Sequence, residues 1–288
     1  MEHWEETDMH RVATNARHLL TGLALGVLAF PAQAAWTLNM TQGVTSTAQE
    51  AYDLHMLVLW ICTIVGIGVF GAMIYAIVVF RKSKGAVPAI FSHNTNAEII
   101  WTVIPTLILF YLGYVTAPAL IRIDDTRNSE MTLKITGYQW KWQYEYVGQD
   151  YSFFSTLAAS SNAARQLGSD IAPASVENYL RDVDKPLVVP VGVKIRYLLT
   201  ANDVLHAWWV PAFSVKRDAI PGYVNEGWFK VDKAGVYRGQ CAELCGKDHG
   251  FMPIVVRAVP RAEFDTWLAA QKSPSPAVAV ASAAVAAN

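Results

Sequence analysis

Apolar residues are distributed along this chain in two different ways. Up to about residue 121 they come in long, nearly unbroken runs, and beyond it they recur in short, partly alternating groups. The first run, Leu19 to Phe30, has the length of a secretory h-region and is too short to span a bilayer. Ala32-Gln33-Ala34 follows it and fits an A-x-A cleavage site, so residues 1–34 are expected to be a signal peptide. The segment ahead of the run is unusual. Glu2, Glu5, Glu6 and Asp8 outnumber Arg11 and Arg17, whereas an n-region should be positive. Initiation at Met9 would leave a positive start. A precursor mass that includes residues 1–8 would exclude it.

An extracytoplasmic N-terminal segment is expected over 35–53. Leu54 to Phe80 is then long and apolar enough to cross a bilayer with some tilt. Glu98 to Ile121 is a second such stretch, interrupted by Pro105 and Pro118, which lipid-embedded helices tolerate. The loop between them, 81–97, carries Arg81, Lys82 and Lys84 and no acid. The positive-inside rule puts that loop in the cytoplasm and both flanks of the hairpin outside. His55 and Cys62, in or beside the first span, read as packing or interface residues.

The second half of the chain has strand periodicity. Met131 to Tyr146 (MTLKITGYQWKWQYEY) is rich in β-formers and partly alternates. Pro186–Thr200, Val204–Val210, Gly227–Val231, Gly235–Gly239 and Met252–Val259 also read as strands, with a hairpin turn at Asp232-Lys233-Ala234-Gly235. Many short strands with turn signals predict an all-β sandwich or barrel over 122–272. Residues 148–180 are polar and poorly periodic and are expected to be a surface insertion. Phe264, Trp267 and Leu268 have helical spacing within Arg261–Gln271. Residues 273–288 are Pro/Ala/Val-rich and read as a disordered tail.

Composition agrees with a chain partly in lipid, since 53% of residues are hydrophobic and 16% charged. The formal net charge of -1 and the lack of a basic stripe argue against a nucleic-acid partner. Three cysteines are too few for a disulfide scaffold.

The chemistry concentrates in one segment, Cys241-Ala-Glu243-Leu-Cys245-Gly-Lys-Asp-His249-Gly-Phe-Met252. Two thiols, an imidazole and a thioether are a soft donor set, suited to copper that cycles between Cu(I) and Cu(II). A single blue-copper site would use one cysteine with two histidines, whereas a second thiolate allows two coppers to be bridged. His206, on the apolar strand VLHAWWVP, is the best source of the second imidazole. After signal cleavage the only other histidines, His55 and His93, belong to the membrane hairpin. A Cys241–Cys245 disulfide and a zinc site are the bland alternatives. Neither gives Met252 a role.

With these residues stated, the chain resembles subunit II of bacterial haem-copper cytochrome c oxidases. The resemblance rests on EIIWTVIP at 98–105, GYQWKWQYEY at 137–146, DVLHAWWVPAF at 203–213, KRDAIPG at 216–222 and GQCAELCGKDHGFMPIVV at 239–256. It implies a membrane α-hairpin of two transmembrane helices followed by a cupredoxin-like β-domain in the periplasm of a bacterial inner-membrane protein. It implies a dinuclear CuA centre held by His206, Cys241, Cys245, His249, Met252 and the backbone carbonyl of Glu243. The Glu243 carboxylate would help hold magnesium at the boundary with subunit I. Trp140 falls on the family's electron-receiving tryptophan, and Glu98 on a glutamate at the entrance of a proton pathway in subunit I. Glu145 and Asp203, and more loosely Asp150, match carboxylates that dock cytochrome c. Subunits I and III, cytochrome c and membrane lipid are the implied partners. The implied activity is transfer of electrons from cytochrome c to haem in subunit I, where oxygen is reduced and protons are pumped.

Two related classes stand as rivals. A quinol oxidase subunit II would lack copper ligands, and a nitrous or nitric oxide reductase would carry the same copper motif beside another partner. The intact ligand set argues against the first; Glu98, Trp140 and Glu243 argue against the second. One departure stands out: Tyr223 follows IPG where the family usually has a basic residue, while Asp218 matches.

Overall fold

The computed structural model describes residues 39–272. The expected signal peptide, the Met9 start and the tail after residue 272 lie outside the described residues. Two long helices come first, α1 over Ser46–Val79 and α2 over Thr95–Asp124. Thr45 caps α1 by accepting the Ala48 N–H at 3.0 Å, and Asn94 caps α2 by accepting the Ala97 N–H at 3.0 Å. These caps let each helix begin ahead of its apolar run. The first turn of α1 is also packed, because Thr45 and Ala48 are buried and the Thr45 hydroxyl donates to the Phe213 carbonyl at 3.1 Å. Farther along, Ile67, Phe70, Ile77, Leu109 and Phe110 are exposed, with no protein cover. Both helices are long and apolar enough to cross a membrane, where lipid would cover such side chains. Arg122 donates to Glu50, tying α2 to α1 at the end beside the β-domain.

The β-domain is a sandwich of two five-stranded sheets. One sheet has the order β3-β2-β1-β5-β8, built from β1 (Met131–Tyr138), β2 (Lys141–Tyr146), β3 (Tyr151–Ser155), β5 (Ile195–Ala201) and β8 (Asn225–Phe229). The other has the order β4-β10-β9-β6-β7, from β4 (Leu187–Pro190), β6 (His206–Val210), β7 (Val215–Ala219), β9 (Gly235–Cys241) and β10 (Pro253–Val259). The pairs β1–β5 and β4–β10 are parallel and the rest antiparallel.

Strict alternation fills the space between the sheets. β2 turns Trp142, Tyr144 and Tyr146 inward, and β5 does the same with Ile195, Tyr197, Leu199 and Ala201. Buried polar tips find partners, as large aromatics require. Tyr146 OH donates to the Val188 carbonyl at 2.7 Å, Trp208 Nε1 donates to Tyr144 OH at 3.3 Å, and Trp142 Nε1 donates to the Met252 carbonyl at 3.3 Å. A C-terminal helix, which we label α4 after the short α3 (Ala159–Ala164), spans Arg261–Lys272. It buries Phe264 and Leu268 and sets Trp267 against Tyr146 and Tyr151.

Two local expectations are corrected, and one strand is added. The turn at 232–235 is not a hairpin, because β8 pairs with β5 in one sheet while β9 pairs with β10 and β6 in the other. It carries the chain between sheets. Residues 148–180 are not only a surface insertion, because β3 is an edge strand paired along β2 with Phe153 buried. β7 was not foreseen, since its two buried positions, Val215 and Ala219, enclose Lys216, Arg217 and Asp218. Its pairing with β6 comes from the fold rather than from its own apolar pattern.

Candidate metal centre

Strand pairing creates the site. β6 and β9 pair Trp208 with Cys241, and the Ala242 N–H donates to the Ala207 carbonyl at 3.0 Å. Cys241 therefore ends its strand beside His206 at the start of β6. The loop 242–252 folds back and re-enters the sheet at Pro253, carrying Cys245, His249 and Met252 with it.

The donor atoms fall into two groups around the sulfur pair. Cys241 Sγ and Cys245 Sγ are 3.9 Å apart, beyond disulfide length. Cys241 Sγ lies 3.8 Å from His206 Nδ1 and 3.4 Å from the Glu243 carbonyl oxygen. Cys245 Sγ lies 3.5 Å from His249 Nδ1 and 3.5 Å from Met252 Sδ. His206, Cys241 and Cys245 are buried, with ligand atoms within 4.8 Å of one another, and Met252 is buried too. The two thiols, two imidazoles and thioether fit copper by their softness. A structural zinc site would leave the thioether unused.

The surroundings prepare His206 for ligation. Asp203 Oδ1 is 2.9 Å from His206 Nε2, which favours a proton on Nε2 and turns Nδ1 toward Cys241. Burial works against a charged imidazole, but the Cys241 and Asp203 contacts outweigh it and hold the His206 pKa above its ordinary value. Burial likewise opposes ionised Asp203, yet hydrogen bonds from His206, Gln139 N–H and Val204 N–H bring its pKa below the usual range. The two thiols are pushed apart. Burial disfavours the Cys241 thiolate, but hydrogen bonding to His206 and the Ala207 backbone brings its pKa down. Burial and the neighbouring Cys241 push Cys245 up to about 12. Gly137 leaves room for the ring, since a Cβ there would lie 2.9 Å from His206 Cδ2.

Trp140 sits in the β1–β2 turn and is tied to the loop. Its Nε1 donates to the Cys245 carbonyl at 3.1 Å, and Gln139 Nε2 donates to the same oxygen at 2.8 Å. Gly246, at φ +118, permits this approach, because a Cβ would lie 3.0 Å from Gln139 Nε2 and 3.1 Å from Trp140 Cζ2.

The remaining site residues are not all gathered here. Asp203 is turned onto His206. Glu145 lies on the outer face of β2, 3.6 Å from Lys134, and Asp150 lies in the turn beyond the other end of β2. Glu98 is in the first turn of α2, roughly 35 Å along that helix from Arg122 at 1.5 Å per residue. The Glu243 carboxylate has no hydrogen bond or ion pair among the described residues. Nothing in the structure explains Tyr223, which is exposed.

Sequence reasoning missed Gln139, Gly137, Gly246 and the contact by which Asp203 orients His206. A glycine inside a strand pattern, such as Gly137, was the available signal of close approach. Asp203→Asn is expected to weaken copper retention about 10–100-fold by loosening His206. Competition with a copper chelator would measure it.

Family models match both halves of the chain. One, described as cytochrome c oxidase subunit II, periplasmic domain, matches residues 131–259, and the corresponding transmembrane domain matches residues 33–118. The chain belongs to the cytochrome c oxidase subunit II family. It is 38% identical over 237 residues to a probable cytochrome c oxidase subunit 2 of Rickettsia bellii, covering 82% of this chain and 84% of that one. It is 36% identical over 234 residues to the cytochrome c oxidase subunit 2 of Cereibacter sphaeroides, covering 77% of each. A crystal structure of the periplasmic domain of cytochrome oxidase subunit II from Bradyrhizobium japonicum shares 42% identity, covering 51% of this chain and 97% of that one, with a TM-score of 0.44. As a member of this family the chain is a membrane protein with a periplasmic copper-binding cupredoxin-like domain, and a subunit of an oxidoreductase complex.

Proposed function

We propose that the chain accepts electrons from cytochrome c at a dinuclear copper centre and passes them to haem in subunit I of a bacterial inner-membrane oxidase. One observation carries this reading. The two sulfurs lie side by side, and each has its own imidazole and one further weak donor, Met252 or the Glu243 carbonyl. That division supports two coppers sharing a thiolate pair, since a single four-coordinate ion on the two thiolates and two imidazoles would leave Met252 and the Glu243 carbonyl unused. When bound, such a pair supplies one-electron redox chemistry with little change in ligand positions.

The chain's own residues do the rest. The sandwich buries four of the five side chains, His206, Cys241, Cys245 and Met252, and leaves His249 half-buried at the loop surface. Asp203 keeps the Nδ1 lone pair of His206 turned to the sulfur pair. Trp140 offers a partly exposed indole hydrogen-bonded to the backbone of Cys245, a short route inward from the surface that crosses one hydrogen bond. Glu243 offers a free carboxylate, so it would share a magnesium ion whose other oxygen ligands come from subunit I. The spans 54–80 and 98–121 cross the membrane, the loop 81–97 faces the cytoplasm, and residues 1–34 are removed on export.

Glu98, at the cytoplasmic end of α2, would feed a proton pathway of subunit I. A helix N-terminus favours an acid there by its dipole alone, so the role must be tested. Glu98→Gln is expected to lower oxidase turnover without altering copper content. Normal turnover would reduce Glu98 to a helix-end acid. The copper assignment is tested by metal analysis of the purified complex, with two coppers per chain expected in addition to copper in subunit I.

A further inference from the structure

The loop 242–252, which carries Cys245, His249 and Met252, is held unevenly. Its Cys245 end is fixed by Trp140 and Gln139, and its Met252 end runs straight into β10. Between them His249 sits half-buried in a single helical turn, His249–Phe251. That turn is closed by the His249 N–H on the Gly246 carbonyl at 3.2 Å and the Phe251 N–H on the Asp248 carbonyl at 2.9 Å. One such turn supplies little stiffness of its own.

Arg165 meets the turn from outside. Its guanidinium lies 4.3 Å from the centre of the Phe251 ring, its Nη1 is 3.4 Å from Asp248 Oδ1, and its Nε donates to Asn162 Oδ1 at 2.8 Å. Asp248 directly precedes His249, and Phe251 directly precedes Met252. The Arg165 and Asp248 side chains are only 23% and 22% exposed, so salt screens this pair less than a surface one. A planar guanidinium serves a ring face and a carboxylate at once, as an ammonium does not.

Arg165 stands on a firm base. Leu157 bridges Val183, and the Ala158 N–H donates to the Asp182 carbonyl at 3.0 Å. The buried Ser161 accepts the Leu180 N–H on its hydroxyl at 3.1 Å and the Arg165 N–H on its carbonyl at 3.1 Å. Asp182 is paired with Arg238 of β9 at 3.6 Å. Asp184, the other acid beside Thr156, is turned to the Thr156 and Lys185 N–H groups at 2.7 and 2.8 Å.

We infer that Arg165 is a positioning residue of the metal loop: it clamps Asp248 and Phe251 against the segment between β3 and β4 and thereby fixes His249. The inference rests on the copper centre proposed above. Arg165 touches no metal-binding atom and acts through the residues on either side of the His249 turn. Its effect is confined to one imidazole, because His206 is held separately by Asp203 and by the space at Gly137. Residues 148–180 thus contribute to the site as well as to the sheet edge.

The test uses the full chain in detergent, as the parent and as Arg165→Gln and Arg165→Lys. Copper content, copper release to a Cu(I) chelator, the imidazole nitrogen couplings of the loaded centre and amide exchange of residues 246–252 in the copper-free chain would be measured on each. Arg165→Gln is expected to release copper roughly threefold to tenfold faster, less than the loss expected for a residue that touches a ligand directly. One of the two imidazole couplings should change while the other stays, and exchange in the loop should speed up. Arg165→Lys should recover only part of the difference. A merely structural role would lower the thermal midpoint without separating the two imidazoles. Unchanged release and unchanged loop exchange in both variants, or equal changes in both imidazole couplings, overturn the inference. If the parent chain holds fewer than two coppers, the copper-pair reading fails instead, and loop exchange in the copper-free chain still decides whether Arg165 is a clamp.

Discussion

Replacing Cys245 with serine is expected to abolish the copper centre and, with it, oxidation of cytochrome c by the assembled enzyme. Cys245 stands at the middle of the donor set, 3.9 Å from Cys241 Sγ and 3.5 Å from both His249 Nδ1 and Met252 Sδ. A serine hydroxyl is a hard, protonated donor that cannot replace a thiolate bridging soft metal. The fold should survive, because the exchange is nearly isosteric and the core around Trp142, Trp208 and Phe229 does not depend on the sulfur. Copper analysis, the visible spectrum and turnover read the outcome together. Retention of a copper pair in Cys245→Ser would show that the bridging role lies elsewhere.

Trp140→Phe should have the second largest effect, with the opposite signature. Phenylalanine keeps an aromatic ring in the β1–β2 turn but loses the N–H that donates to the Cys245 carbonyl at 3.1 Å. Gln139 still holds that carbonyl at 2.8 Å, so the metal loop keeps its shape. We expect electron arrival from cytochrome c to slow at least about tenfold, equivalent to about 1.4 kcal/mol of barrier. The copper spectrum and copper content should not change. Rapid-mixing kinetics with reduced cytochrome c would show it, and an unchanged rate would remove Trp140 from the route.

Much of this was legible in the residues. The two apolar runs carry few polar interruptions, so their length alone marks the hairpin. Strands such as Ile195–Ala201 alternate without a break, and the core aromatics of β2 could be read from Trp142, Tyr144 and Tyr146. The cluster of soft donors was legible because Cys241, Cys245, His249 and Met252 lie within one twelve-residue segment. What could not be read depends on contacts distant in sequence. Asp203 looks like a surface acid until the fold sets it on His206. Arg165 looks like part of a polar insertion until it meets Asp248 and Phe251. The turn at 232–235 has hairpin residues but joins two different sheets, because pairing partners are chosen by the sandwich and not by the turn.

Cys241 and Cys245 are proposed to share a pair of coppers. Electron paramagnetic resonance of the copper-loaded protein, poised half-reduced, tests it most directly. The expected spectrum is a hyperfine pattern from one unpaired electron spread equally over two copper nuclei, lost in Cys245→Ser. A pattern from a single copper nucleus, or no copper signal at any potential, would contradict it.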